Sequence, residues 1–212
     1  MTALVIGATG ATGKDLVAQL LEDATFDKVH VFVRREVDLH HDKLHVHIVD
    51  FDKIDEWQHQ LQGDVLFSAL GTTIKKAGSQ EAQWKIDYTY QFEVAKAAKA
   101  NGVGSLALVS SAWATADSKV FYTRMKGQLE EDAKKLGFKQ LSIMRPPSLF
   151  RKDTDRFGER VSVKLLQTLN TVGLLRSIRP MPTSQVAKAM IAMVKEQREG
   201  IYILEPKDLW RI

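Results

Sequence analysis

In Tyr122-Thr123-Arg124-Met125-Lys126 the tyrosine and lysine are i and i+4, so on a helix the phenol and ammonium project from one face. Eleven residues before Tyr122 lies Ser111, in Ser110-Ser111-Ala112-Trp113, directly after the apolar run Leu106-Ala107-Leu108-Val109. These types suit the reduction of a carbonyl, whose oxygen must take a proton as hydride reaches its carbon. A tyrosine is too weak an acid–base at its reference pKa of about 10. An adjacent ammonium, together with an oxidised nicotinamide, favours phenolate and moves that pKa toward working pH. Lys126 can also hold the nicotinamide ribose, and Ser111 can orient the carbonyl, with Ser110 as the second candidate. An amphipathic helix with a half-buried tyrosine gives the same spacing, so the pair draws its meaning from what precedes it.

What precedes it is a dinucleotide-type turn. The apolar run Ala3–Ile6 has the length of a buried strand and feeds into Gly7-x-x-Gly10-x-x-Gly13. In the following segment Leu16, Val17, Leu20 and Leu21 recur at helical spacing. Strand, glycine turn and helix in that order bring backbone N–H groups and a helix N-terminus close to a pyrophosphate. Gly7, Thr9, Gly10, Ala11, Thr12 and Gly13 are therefore the candidate phosphate contacts. A Walker loop is excluded: Ala8 replaces its first glycine, and Asp15 stands where its hydroxyl should be.

The ends of the other strands supply the remaining contacts. After Val29–Val33 come Arg34 and Arg35, whose forked donors suit a 2′-phosphate, so the reading is NADP rather than NAD. Asp50 and Phe51 end the third strand, either against an adenine or as a simple strand-end turn. Ala69, Leu70 and Gly71 end the fourth, where glycine lets the chain pass close to a cofactor. His40, His41, His45 and His47 cluster without a metal-ligand pattern and read as a polar loop and a partly exposed strand.

Seven strands follow from the apolar runs: Ala3–Ile6, Val29–Val33, Val46–Val49, Val65–Ala69, Leu106–Ser110, Leu141–Met144 and Ile201–Leu204. Helical patterns between them predict an α/β, doubly wound parallel sheet, a Rossmann fold. The 212 residues are read as one domain, 1–212, with 148–200 partly forming the substrate side. Within that part, Val161–Leu169 and Val186–Val194 are read as helices of a small C-terminal lid, the second capped by Thr183 or Ser184. The absence of cysteine excludes disulfides and thiolate chemistry. A net charge of +4, with acids and bases interleaved, argues against nucleic acid. With no apolar run of spanning length and a strand starting almost at Met1, the expectation is a cytoplasmic protein without a membrane partner.

The glycine turn, serine pair and Tyr-x-x-x-Lys resemble the short-chain dehydrogenase/reductase (SDR) family. The stretch Leu70–Ser79, with Lys126-Gly127, Arg145-Pro146-Pro147 and Arg156-Phe157-Gly158-Glu159, resembles its atypical CC3/TIP30-like subgroup. That resemblance covers roughly residues 2–160 and implies an NADP-binding Rossmann fold with a Ser-Tyr-Lys site. It places Asp87 where many SDRs carry a proton-relay asparagine, and Arg145, Pro146, Pro147 and Ser148 beside the nicotinamide. Pro147 departs from the Arg-Pro-Gly of CC3-like sequences. Arg151, Lys152, Arg156 and Arg160 crowd the segment beyond, as a reception for an anionic substrate or as a solvated loop face. The implied activity is hydride transfer to a small carbonyl or from an alcohol. The alternative is a non-catalytic NADP(H)-sensing module acting through a protein partner. The helix over Tyr88–Ala100 could pair with a second copy, giving a homodimer, or cover the sheet of a monomer.

Overall fold

The computed structural model describes residues 1–150 and 179–212. Nine strands lie among them: β1 (Thr2–Ile6), β2 (Lys28–Val33), β3 (Leu44–Ile48), β4 (Val65–Ser68), β5 (Ser105–Val109), β6 (Gln140–Met144), β7 (Leu149–Phe150), β8 (Met181–Pro182) and β9 (Gly200–Leu204). Seven form one sheet in the order β3-β2-β1-β4-β5-β6-β9, every neighbouring pair parallel. All seven expected strands are present, with ends within two residues of the apolar runs. β7 and β8 make a separate parallel pair that the sequence did not announce, each being two residues long.

The central strands are covered on both faces, and so they read as continuous apolar runs. On one face lie α1 (Ala11–Glu22) and, later in the chain, the long C-terminal helix. Between them in chain order come three short turns, α2 (Ile54–Trp57), α3 (Ile74–Ala77) and α4 (Gln80–Trp84), of which α2 packs through Trp57 on the opposite face. The opposite face carries α5 (Tyr90–Ala100) and α6 (Phe121–Lys135), the C-terminal helix is α7 (Thr183–Lys195), and α8 (Pro206–Leu209) ends the order. Val94, Ala95 and Ala98 of α5 join Leu129 and Ala133 of α6 against Leu4, Ile6, Leu66 and Leu106. Leu16, Leu20 and Val17 of α1 join Val186, Met190 and Val194 of α7 against Val5, Val31 and Phe67.

The helix expected in the lid is therefore a core helix. Eight of its residues are buried, which leaves it a wide apolar face for the sheet. Polar contacts fix it to α1: the Thr183 hydroxyl donates to Asp15 at 2.5 Å, Gln19 to the Ser184 carbonyl at 3.0 Å, and Lys195 pairs with Asp23 at 2.7 Å. Thr183 is consequently not a cap; Pro182 holds that position, without a side-chain hydrogen bond. The predicted helix Val161–Leu169 and the basic residues Arg151, Lys152, Arg156 and Arg160 lie outside the described residues.

β3 begins two residues earlier than the hydrophobic pattern indicated, at Leu44, and so carries His45 as well as the expected His47. They share a face with His30 of β2. His30 Nδ1 and His47 Nε2 share a hydrogen bond at 2.8 Å, and the His30 and His45 rings stack with centroids 4.6 Å apart. Burial, then the neighbouring imidazoles, push the His30 pKa down to about 4. The native state thus refuses a proton that the unfolded chain accepts. The stabilising contribution is complete above the ordinary histidine pKa of about 6.5 and is lost as pH falls from there toward 4. A thermal-unfolding midpoint measured across this window should decline in wild type and decline less in His30→Gln.

Candidate active site

The strand order reverses between β1 and β4, and the crevice beyond the carboxyl ends of these strands is where open α/β sheets bind ligands. Its floor is the turn from β1 into α1. Gly7 has φ +83°, and a Cβ there would lie 2.4 Å from the Ala69 carbonyl carbon. A Cβ on Gly13 would lie 2.0 Å from the Gly7 oxygen. Two of the three glycines are thus required by backbone crossing backbone. Gly10 donates to the Gly7 carbonyl at 2.9 Å and sits before the first turn of α1, which holds neither an acidic residue nor a side-chain cap. No residue of that first turn is itself acidic, so the turn's own sequence does not oppose an anion there.

A cleft of about 410 Å³ opens over this turn, lined by Gly7, Ala8, Thr9 and Gly10, by Phe32, Val33 and Arg34, and by Ala69, Leu70, Gly71 and Thr72. Phe51, Lys76, Ile86 and Tyr90 close it. Of the two candidate arginines Arg34 lines the cleft and Arg35 does not. Asp50 is also drawn away: its carboxylate accepts from the Asp52 N–H at 3.0 Å and caps a short turn, while Phe51 faces the cleft. A Cβ on Gly71 would meet nothing within 4 Å, so the space beside it is open. Ala11, Thr12 and Gly13 begin α1, with Thr12 and Gly13 buried. Apolar walls, backbone amides and the cations Arg34 and Lys76 fit a dinucleotide in type and placement. Lys76 and Tyr90 were missed as lining residues; only the former had a signal, its place in the Gly71–Ser79 run.

A second cavity, of about 320 Å³, lies at the ends of β5 and β6, lined by Ser110, Ser111, Ala112, Trp113, Tyr122, Pro146, Pro147, Ser148 and Leu149. Ser111 and Tyr122 thus face one space. Ser110 lines it too, but its hydroxyl is donated to Glu130. Lys126, one turn along α6 from Tyr122, is 2 % exposed and donates to the Val109 carbonyl at 3.3 Å. Gly127 lets α6 come this close: a Cβ there would lie 2.1 Å from the Thr115 carbonyl carbon.

Asp87 is fully buried, on a five-residue π-helical segment, Lys85–Thr89, between α4 and α5. Segments of this kind concentrate at functional sites. Its carboxylate accepts from the Thr72 N–H at 2.7 Å and from Gln83 at 3.4 Å, tying the loop at the cleft to the helix. Burial raises the Asp87 pKa, against the pull of Lys126 and the two hydrogen bonds. Burial lowers that of Lys126, against the pull of Asp87 and Glu130. Tyr122, 38 % exposed, is pushed up to about 12 by burial and then by the Asp87 charge. The sequence expectation of a lowered pKa counted on Lys126 together with an oxidised nicotinamide; burial first, and then the charge of Asp87, act in the other direction.

Arg145 also differs from expectation. Its guanidinium is committed to carboxylates: Nε and Nη2 donate to Glu130 at 3.0 and 2.5 Å, and Nη1 to Glu205 at 2.9 Å. Pro146, Pro147 and Ser148 do line the second cavity.

A family model described as NAD(P)H-binding matches residues 7–197. The chain belongs to that family. This NAD(P)H-binding chain is 31 % identical over 224 residues to a protein of Candida albicans named FMP52, mitochondrial, with 100 % of this chain and 98 % of that one covered. It is 34 % identical over 173 residues to HTATIP2 of Rattus norvegicus, covering 79 % and 71 %. These relatives make it a member of the atypical, CC3/TIP30-like SDRs. Among solved structures, MoeE5 in complex with UDP-glucose and NAD superposes with a TM-score of 0.72 at 15 % identity, over 96 % of this chain and 75 % of that one. That likeness concerns the Rossmann fold. The names of the FMP52 relatives, 31–39 % identical and called mitochondrial, overturn the cytoplasmic expectation.

Proposed function

We propose that this NAD(P)H-binding protein is an NADP-dependent oxidoreductase that reduces a small carbonyl compound, or runs the reverse oxidation of an alcohol. One observation carries the reading: Tyr122 and Ser111 face a single cavity at the ends of β5 and β6, with the Lys126 ammonium buried one helical turn behind the phenol. A bound nicotinamide supplies or takes up the hydride. Ser111 orients the carbonyl oxygen, and Tyr122 gives that oxygen its proton. Lys126 holds positive charge behind the phenol and is kept in place by the Val109 carbonyl. Asp87 anchors the Thr72 amide at the edge of the cleft.

Arg34 supports the preference for NADP, since a guanidinium in the cleft has a use with a 2′-phosphate that it lacks with a bare hydroxyl. In fluorescence titrations Arg34→Ala should weaken NADPH binding roughly tenfold or more, while NADH binding and Arg35→Ala change little. Equal losses for both cofactors would count against NADP selection at this residue. NADPH oxidation over a panel of aldehydes, ketones and quinones tests the reaction itself.

A second reading, a cofactor-sensing module that acts through a protein partner, is favoured by the raised Tyr122 pKa: burial and the Asp87 charge hold this phenol away from neutrality. It calls for a partner captured only with NADPH present and for no turnover across the panel.

A further inference from the structure

We propose that Trp113 is an aromatic platform for the substrate, and that the substrate is a flat aromatic or conjugated carbonyl compound such as a quinone or aryl aldehyde. The inference rests on the carbonyl-reduction reading of the same cavity. Trp113 has φ +60°, in the left-handed region that side-chain-bearing residues rarely adopt, and yet it is 64 % exposed. Its large apolar ring thus gains little from burial, while its backbone is strained.

The strain is held from outside. Ala112 N–H donates to the Pro146 carbonyl at 2.9 Å, and Ala114 N–H to the Ser111 carbonyl at 3.2 Å, on either side of the indole. Two residues further on, Thr115 and Ala116 are pressed against Gly127 of α6. A conformation over-determined in this way serves the position of the side chain, and that side chain walls the cavity of Ser111 and Tyr122.

The other walls agree. Pro146, Pro147 and Leu149 add flat or branched apolar surface. The described polar side chains beside the phenol are the hydroxyls of Ser110, Ser111 and Ser148. Such a lining rewards a molecule with a π face and one carbonyl oxygen at Ser111 and Tyr122.

The test compares wild type with Trp113→Phe, Trp113→Leu and Trp113→Gly, using menadione as planar probe and hexanal as flexible one. Binding is measured by calorimetry with NADP⁺ present, and turnover by NADPH oxidation. Trp113→Leu and Trp113→Gly should each weaken menadione binding about three- to tenfold, a larger loss than either causes for hexanal, and leave NADPH affinity within about twofold. Trp113→Phe should retain most menadione affinity. Trp113→Gly, free of the positive-φ penalty, should keep or raise the thermal midpoint, separating a stored strain from a structural need.

Menadione binding that ignores the loss of the ring, or no saturable menadione binding by wild type, overturns the platform. Binding that depends on Trp113 without turnover of either probe leaves the platform standing and removes the reductase reading. Turnover of both probes unaffected by Trp113 does the reverse.

Discussion

Tyr122→Phe should lower NADPH-dependent turnover of a carbonyl substrate by about 10²- to 10⁴-fold, the usual worth of a positioned proton donor. The change removes one oxygen from a ring that keeps its place on α6, so NADPH affinity should stay within about twofold and the fold should be unaffected. Comparable losses in turnover and cofactor binding would mean that the phenol serves to hold the cofactor. The pH profile adds a sign. A phenol pushed up to about 12 is protonated across the accessible range, so it is a ready acid and a poor base. Carbonyl reduction should therefore show no decline from tyrosine ionisation below pH 10, whereas alcohol oxidation should climb about tenfold per pH unit. Steady-state rates in both directions between pH 6 and 10 check this, and an oxidation limb that levels off near neutrality would show that the bound cofactor lowers this pKa.

Arg145→Ala should destabilise the protein by about 3–5 kcal/mol in urea unfolding. Glu130 is 1 % exposed, and its carboxylate accepts from Ser110 and from two nitrogens of Arg145. Removing the guanidinium leaves a buried anion with one hydroxyl donor and only the neighbouring charge of Lys126 to offset it, and the cost of that poorly compensated charge exceeds the loss of the bonds themselves. The companion double variant Glu130→Met with Arg145→Met removes both charges and should recover most of the loss, because a desolvated ion pair gains little over apolar packing of similar size. If the double variant is as unstable as the single one, packing rather than unpaired charge explains the effect. NADPH affinity of the folded Arg145→Ala protein decides separately whether this arginine meets the cofactor.

The strands were legible because a parallel sheet covered on both faces leaves no polar alternation to misread. β3 was placed two residues late for the complementary reason, since its polar positions are imidazoles that satisfy one another. The Ser111, Tyr122 and Lys126 positions could be read from chain order alone: the fifth strand ends in serines, and the next helix starts eleven residues on. The environment that sets their proton affinities could not. Asp87 reaches Lys126 from another helix, and no residue type announces a π-helical turn. Glu130 took no part in the reading, although it stands one turn beyond Lys126 on the same face of α6, because its partners Ser110 and Arg145 are brought to it only by the fold. Trp113 was invisible in a different way, because tryptophan is a poor guide to a left-handed backbone. Thr183 looked like a cap from its place after Pro182, and only the neighbouring Asp15 explains where its hydroxyl goes.

The absence of room at Gly127 has a mechanical consequence. With Thr115 and Ala116 seated directly on α6, the loop that carries the indole of Trp113 leans on the helix that carries the phenol of Tyr122. The two groups that would grip and protonate a carbonyl are thus placed from one shared contact, and a methyl group at position 127 would have to part loop and helix.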